Sequence, residues 1–305
     1  MTINLHHLRI FAAVAEQRGF SRAAAALRIS QPAVSKAVRQ LERQVGVPLV
    51  ERAGRASRLT SAGEQLAARA RELFGVEEAA EEELRALRGL EAGSLRVGAS
   101  TTIATYLLPP ILARFHEAHP AIVLRVTSAN TRAITRALLE RRLDIALVEG
   151  PVEHPRIETR RWRSDELVLI APPDHRLVRR RKVSAHELAP ERFVVREQGS
   201  GTREVAERAL AKHRVHPVVA LQLGSTEAVK QAVAAGLGLS IVSRYAAADQ
   251  LALGRIALVR LRGVELNRTL AELRLEGRKP SAPAAAFMEF MRVGGGGAGR
   301  AHVSK

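Results

Sequence analysis

The run FSRAAAALRISQPAVSKAVRQLERQVGVPLVERAGRASRLT, Phe20 to Thr60, reads as two short helices, a tight turn and a basic hairpin. Ser21 is a natural helix cap, since its hydroxyl accepts a free first-turn amide. Arg22 to Leu27 is Ala-rich and helical by propensity. Ser30 caps a second helix, and Pro32 fits its first turn, where a missing amide costs nothing. From Gln31 to Gln44 the apolar positions Val34, Ala37, Val38 and Leu41, continued by Val45, form one stripe. The other face carries Gln31, Ser35, Lys36, Arg39 and Arg43. Those side chains suit a major groove: Gln pairs with adenine edges, Lys and Arg with guanine or phosphate, Ser with either. The spacing predicts a helix-turn-helix with Gln31–Gln44 as recognition helix, closed by Gly46. Taken alone, the pattern also fits an amphipathic surface helix with a solvated basic face.

The flanks favour the first reading. Val47–Val50 and Arg58–Thr60 are expected to pair around Ala53–Ala56, so that Arg52, Arg55 and Arg58 form a basic wing. Residues 1–60 hold ten Lys/Arg against three acids, Glu16, Glu42 and Glu51, a balance of +7. DNA affinity rests largely on such charge, because each neutralised phosphate releases counterions. Leu5–Arg18 reads as a supporting helix. The neighbours His6 and His7 point in different directions and do not form a metal site.

Several blocks then stand in order: Asn4-Leu5…Phe11, Gly19-Phe20-Ser21-Arg22-Ala23-Ala24, Ser30-Gln31-Pro32-Ala33-Val34-Ser35, Leu41-Glu42, Leu49…Glu51-Arg52 and Leu59-Thr60…Ala62-Gly63-Glu64. Together they resemble the amino-terminal domain of LysR-type transcriptional regulators. The resemblance implies groove contacts from Gln31, Pro32, Ser35, Lys36 and Arg39, with Ser21, Arg22, Arg52 and Arg55 beside them on DNA.

Ser61 to about Leu90 reads as one long helix, with capping-box spacing at Ser61…Glu64. Leu66, Ala70, Leu73, Glu77, Ala80, Leu84 and Leu87 follow a coiled-coil rhythm broken at Glu77. Such a stripe needs a partner: a second copy of the helix, or the chain's own carboxyl-terminal half. The family resemblance implies a linker helix through which two chains dimerise, and two dimers form a tetramer.

From Leu95 the rhythm becomes strand, helix, strand, which predicts parallel sheets with helices on both faces. Strands are expected at Leu95–Ala99, Ile122–Thr127, Asp144–Val148, Glu166–Ala171, Phe193–Val195, Val218–Leu223, Leu239–Val242 and Leu270–Leu275. Helices are expected at Ile103–His119, Thr131–Arg141, Gly201–His213, Ser225–Ala235 and Ala284–Met291. Two small α/β subdomains accommodate this, the chain crossing near Trp162–Asp165 and returning near Gly263–Thr269. The segments Gly98-Ala-Ser-Thr-Thr102, Asp144-Ile-Ala-Leu-Val-Glu-Gly150, Gly199-Ser-Gly-Thr-Arg203 and Gly236-Leu-Gly-Leu-Ser-Ile-Val242 resemble the effector-binding domain of the same family, itself similar to type-2 periplasmic binding proteins.

The expected fold is thus α/β, with an all-α winged helix-turn-helix domain at residues 3–60 (helix-turn-helix 20–39) and a linker helix at 61–90. Two Rossmann-like subdomains follow within 94–293, the first from 94–163 and 266–293, the second from 164–265. Residues 294–305, Gly-rich and basic, are expected to be disordered.

Ligands of open α/β sheets sit beyond the carboxyl ends of strands, at helix amino termini, where free amides favour anions. The loops meeting that description contain Ser100, Thr101, Thr102, Asn130, Thr131, Glu149, Ser200, Gly201 and Thr202. Hydroxyls, an amide and glycines suit a small polar or anionic effector. The same residue types are ordinary helix caps. Glu149 repels an anion unless it faces an arginine or turns away. Thr101-Thr-Ile…Leu107-Leu-Pro with Asn130-Thr131 and Val148-Glu-Gly150 resembles the branch of the family that responds to sulfur oxyanions such as sulfite.

The whole chain is consistent with this. Its 305 residues carry a net charge of +17, which favours a polyanionic partner. Cysteine is absent, so there is no disulfide, thiolate metal site or thiol nucleophile. No apolar run approaches the roughly 18 residues that span a bilayer. No nucleotide-binding loop, nucleophile elbow, third dinucleotide-turn glycine or metal-binding histidine spacing occurs. No enzyme, metal or cofactor is expected. The expected partners are duplex promoter DNA, a second copy of the chain, the effector and RNA polymerase, in the cytoplasm at the nucleoid. A solute-binding module whose winged domain contacts protein is the alternative.

Overall fold

The computed structural model describes residues 2–53, 56–87 and 93–293. The wing tip with Arg55, the linker end 88–90, residues 91–92 of the hinge and the tail 294–305 lie outside the described residues, as does the side chain of Arg52. The chain divides into two compact units, parting between Arg85 and Ala86.

In the first unit, α1 (Leu5–Gln17) starts where Asn4 Oδ1 accepts the His6 and His7 amides at 2.9 and 3.2 Å. Helix α2 (Phe20–Leu27) is capped by Gly19 and not by Ser21. Phe20 packs on the core as the first helical residue, which moves the helix start ahead of Ser21. Helix α3 (Gln31–Val45) begins at Ser30, whose hydroxyl accepts the Ala33 amide at 3.4 Å, and ends at Gly46 in the left-handed region (φ 77°). Val34, Ala37, Val38 and Leu41 are buried with Leu8, Phe11 and Val14 of α1.

The hairpin pairs β1 (Val50–Ala53) with β2 (Ala56–Leu59), in register Val50↔Leu59. It begins three residues later than the sequence suggests. Pro48 has no amide to give a ladder, and the Leu49 and Val50 amides donate instead to Glu42 Oε1 at 2.8 and 3.1 Å. Helix α4 (Ser61–Leu87) has 27 residues, about 40 Å at 1.5 Å per residue. Thr60, one residue before the expected cap, accepts the Gly63 amide at 2.9 Å. A Cβ at Gly63 would lie 2.0 Å from the Leu49 carbonyl oxygen, so only glycine fits there.

The second unit opens with β3 (Gly93–Ser100), which is followed by a π-helical turn at Ile103–Leu107 and by α5 (Pro109–Ala118). The single helix expected over Ile103–His119 is therefore split. Leu108 bonds back to Ile103 at 2.9 Å, and Pro109-Pro110 restart the helix at a position that needs no amide. Next come β4 (Ile122–Ala129), α6 (Thr131–Leu139), β5 (Ile145–Glu149) and β6 (Ile157–Ala171). The remaining elements are β7 (Val183–Ser184), β8 (Arg192–Arg196), α7 (Gly201–Ala211), β9 (Val218–Leu223), α8 (Thr226–Ala234), β10 (Ser240–Ser243), α9 (Arg244–Ala252), β11 (Ala257–Val259), β12 (Leu261–Arg262), β13 (Asn267–Leu275) and α10 (Ala282–Val293).

The main sheet runs β10-β6-β13-β5-β3-β4, with β11 also on β6. It is mixed and not wholly parallel: β3 pairs β4 and β5 in parallel, while β13 is antiparallel to both β5 and β6. The long β6 explains this. It pairs with β13 up to Glu166 and with β10 from Leu167 onward, so the chain passes from one lobe to the other inside one strand. Strand β13 brings it back in the opposite direction. Beyond β10, the Val194 amide donates to the Leu239 carbonyl at 2.8 Å, and β8 pairs β9 in parallel, completing the second lobe. Each lobe has its own apolar core, one around Phe115 and Phe287, the other around Leu169, Phe193 and Leu210.

Candidate DNA interface and effector cleft

On α3 the buried stripe leaves Gln31, Pro32, Lys36, Arg39 and Arg43 exposed. Ser35 departs from this face: it is buried, and its Oγ accepts a hydrogen bond from Gln31 Nε2 at 3.1 Å. Ser35 therefore fixes the Gln31 amide instead of offering a free hydroxyl. Lys36, Arg39 and Arg43 line one basin with Gly46, Val47 and Pro48. Glu42 lines it too and ties the wing root to α3. On α2, Ser21 is exposed, and Arg22 Nη2 donates to the Arg18 carbonyl at 2.6 Å, closing the end of α1. Arg52 lies in β1 opposite Ser57.

Along α4, Ala67 and Ala70 are buried in the domain core with Leu66 and Phe74 against it. Farther along, Leu73, Val76 and Leu84 are exposed by 43, 48 and 61%. Glu77, the break in the apolar rhythm, pairs with Arg9 of α1, whose guanidinium lies 4.1 Å from the Phe74 ring centroid. The break is a fastening within the chain.

In the second unit, the expected effector residues fall into two groups. Asn130 and Thr131 are consumed by the fold. Asn130 Oδ1 accepts the Ala133 amide at 3.0 Å, its Nδ2 donates to Glu197 at 3.1 Å, and Thr131 Oγ1 donates to the Glu149 carbonyl at 3.1 Å. Thr202 Oγ1 donates to Glu149 Oε2 at 3.2 Å and accepts from Arg268 at 2.9 Å. Gly201 is packed so tightly that a Cβ would lie 2.1 Å from the Glu149 carbonyl oxygen. Thr101 is half-buried.

Ser100, Thr102 and Ser200 form the second group. All three are buried, and none of their hydroxyls has a partner among the described residues. Ser100 ends β3, Thr102 precedes the π-helical turn and Ser200 precedes α7 without capping it through its side chain. Buried polar groups are nearly always paired, so three unpaired hydroxyls at strand and helix ends mark places for a ligand or water.

Glu149 is 1% exposed and faces Arg268, whose Nη1 is 3.4 Å from Oε2. The arginine offsets part of the repulsion an anion would meet, since it is shared between Glu149 and Asp165. Arg268 also donates through Nε to Asp165 Oδ2 at 2.7 Å, and Ser243 donates to Asp165 Oδ1 at 2.9 Å. Burial pushes the Asp165 carboxyl above its ordinary range, against the pull of the Arg268 guanidinium. Asp165 and Arg268 lie on the two crossing strands, so this cluster sits where the lobes join.

A third cluster clasps the lobes. Tyr106, from the π-helical turn, donates to Glu227 Oε2 at 2.9 Å, and Lys230 meets the same oxygen at 2.8 Å. The lysine hydrogen bond holds the Glu227 carboxyl below its ordinary range, whereas burial raises the Tyr106 phenol. Nearby, Arg196 is 3% exposed, pairs with Glu197 and donates to Thr226 at 2.7 Å.

Sequence reading misses Arg268, Asp165, Arg196, Tyr106 and Lys230. Little in the sequence marks them: Arg268 stands among polar neighbours at the start of Asn267-Arg-Thr-Leu-Ala271, where a charge reads as solvated. No helix among the described residues is long and apolar enough to cross a membrane. Among the same residues no group of histidines and carboxylates is arranged to hold a metal ion.

Two families match the chain. Residues 5–64 match the bacterial regulatory helix-turn-helix proteins of the lysR family, and residues 88–294 match the LysR substrate binding domain. The chain is 37% identical over 291 residues to the RuBisCO operon transcriptional regulator of Allochromatium vinosum, covering 95% of this chain and 96% of the relative. It is 35% identical to the regulator YeiE of Escherichia coli, covering 95% and 97%. Among solved structures, the regulatory domain of Synechocystis CcmR in complex with 2-PG shares 28% identity at a TM-score of 0.64, covering 68% of this chain and 99% of that one. Full-length CbnR, at 22% identity and a TM-score of 0.70 over 95% and 98% of the two chains, shares the fold. The chain belongs to the LysR family: it is a DNA-binding transcriptional regulator that joins a helix-turn-helix domain to an effector-binding domain, and it is not an enzyme.

Proposed function

We propose that this regulator reads promoter DNA through α3 and is switched by a small oxyanion bound between the lobes of its second unit. Lys36, Arg39 and Gln31 are the groove contacts, Pro32 shapes the helix start and Ser35 holds Gln31 in place. Ser21, Arg22, Arg52 and Arg55 serve the DNA backbone. Residues 3–60 act as the DNA-binding domain and 61–90 as the dimerisation helix, with 94–293 as the effector domain. Two chains associate through the apolar stripe of α4, two dimers form a tetramer, and RNA polymerase is a further partner at the promoter. Duplex DNA as ligand puts the protein in the cytoplasm at the nucleoid.

One observation carries the effector assignment: Ser100, Thr102 and Ser200 are buried with unpaired hydroxyls. Hydroxyls that donate toward a shared anion, next to helix amino termini, suit an oxyanion. The CcmR regulatory domain binds 2-PG, and this chain resembles it over 68% of its length. Sulfite belongs to the same chemical class. The ligand acts by binding one lobe closure more tightly than the other. Titration calorimetry with sulfite, sulfate, phosphate and 2-PG tests the assignment. Saturable heat with at least one of them, lost in Ser100→Ala/Ser200→Ala, is expected. Heat from none of them refutes an oxyanion effector.

A further inference from the structure

The second unit carries a cationic patch that neither the effector cleft nor α3 uses. It is built by Asp174–Arg192 together with Arg260–Glu265, which hold eight Lys/Arg and four carboxylates. Strands β7 and β12 bring the two segments together: Leu261 pairs with Val183, Arg262 with Ser184, and the Val183 amide donates to the Arg260 carbonyl at 2.9 Å. Val183 is buried, so strand alternation turns Lys182, Arg260 and Arg262 outward together, and all three are exposed. Arg179 and Arg181 extend the patch from the preceding loop and Arg192 from β8, each exposed as well.

Two carboxylates of this region are already occupied. Glu187 pairs with Arg180, and Glu191 with Arg176 and His175. Arg179, Arg181, Lys182, Arg192, Arg260 and Arg262 have no carboxylate partner among the described residues. Many arginines of the same unit do have one, as Arg96 has Asp144, Arg208 has Glu204 and Arg244 has Glu166. The segments Asp174–Arg192 and Arg260–Glu265 themselves hold no exposed large apolar side chain; the nearest in the sheets is Val218, which pairs with Arg192 at the margin of the patch. A protein-binding surface has an apolar or aromatic centre. A surface of arginines without one matches a phosphate backbone.

We infer that this patch is a second, sequence-independent contact for duplex DNA, made by the effector-binding unit through Arg181, Lys182, Arg260 and Arg262 with Arg179 and Arg192 at its margin. The contact contributes charge neutralisation and no base readout, so it strengthens binding on any duplex long enough to reach it.

The test is a fluorescence-anisotropy titration of the full-length protein on a long duplex, with salt varied from about 50 to about 200 mM. The variant R181Q/K182Q/R262Q is compared with wild type and with R181K/R262K, which retains the charge. If all three cations meet phosphates, the slope of log affinity against log salt falls by about 2.7 for each chain whose patch touches the duplex, and wild type loses about 40-fold more affinity than the triple variant per such chain across that range. The lysine variant keeps the wild-type slope. Circular dichroism melts of all three proteins identify any unfolding, and the lysine variant tests the charge even if the glutamine variant melts early. Equal slopes for wild type and R181Q/K182Q/R262Q overturn the inference and leave the patch to an acidic protein. A slope reduced as much by R181K/R262K as by the glutamines also overturns it, because charge is then not the cause.

Discussion

Ser100, Thr102 and Ser200 keep hydroxyls where an apolar group of the same size would fold better. An unpaired buried hydroxyl costs about 1–3 kcal/mol, which a ligand returns when it accepts the bond. Ser200→Ala is therefore expected to leave the ligand-free melting temperature unchanged or raised, while effector affinity falls about tenfold or more; paired calorimetry and thermal melts read both. Arg268 presents the opposite case. It holds Asp165 and Glu149 together out of water, and removing one partner of such a cluster costs about 3–5 kcal/mol. Arg268→Met is expected to lower urea-unfolding stability by that amount. The positions of the loop hydroxyls follow from the sequence, because Ser, Thr and Gly gather at its strand-to-helix turns, but the same residue types are ordinary caps, and only the structure separates the unpaired Ser100, Thr102 and Ser200 from Asn130 and Thr131. Arg268 was not: an arginine near a strand start ordinarily reads as solvated, and only the return of β13 beside β6 buries it. Glu227 supplies a pH effect of defined sign. Its folded carboxyl is held below the ordinary value by the Lys230 hydrogen bond, so its contribution is complete above the unfolded pKa and is lost as pH falls through the folded one. Glu227→Gln is expected to flatten the decline of stability in that acid window, and an unflattened decline removes the clasp from the account.

Helix α3 and its wing work as one piece because Glu42 accepts two wing-root amides. Each such bond to a charged group is worth about 1.5–3 kcal/mol. Glu42→Ala is expected to destabilise the amino-terminal unit by at least one of them and to weaken DNA binding, although Glu42 itself repels phosphate. Affinity that rises in this variant speaks for simple charge repulsion. The helix was readable from the 3.6-residue apolar period, and its end from Gly46. The wing register was not, because the Leu49 and Val50 amides go to a side chain and not to a ladder. In the second unit the apolar half of β6, Leu167 to Ala171, stands out in the sequence. The crossing is expected near Trp162–Asp165, but the polar half, Glu158 to Asp165, carries no apolar alternation, which hides its pairing with β13 and so the mixed sheet. The helix α9 was missed because Arg244 to Ala252 lacks a clear apolar period.

The domain order was legible throughout the chain because local signals agree with it: capping at Ser30, the long rhythm of α4 and the strand-helix alternation beyond Leu95. What the chain assembles into depends on α4. Leu73, Val76 and Leu84 lie open on a helix whose first turns are already packed, and an apolar stripe of this kind is stable when a second helix covers it. Leu84→Glu is expected to shift the protein from dimer or tetramer toward monomer in sedimentation and to weaken operator binding by the lost second contact. All of this rests on α3 facing a duplex. Anisotropy titrations of wild type, Lys36→Ala and Arg39→Ala on the intergenic DNA beside the protein's own gene, across a range of salt, address that directly. Each substitution is predicted to weaken binding and to reduce the salt slope by about one unit per lost phosphate contact; slopes and affinities equal to wild type in both variants contradict the assignment of α3 as the DNA-reading element.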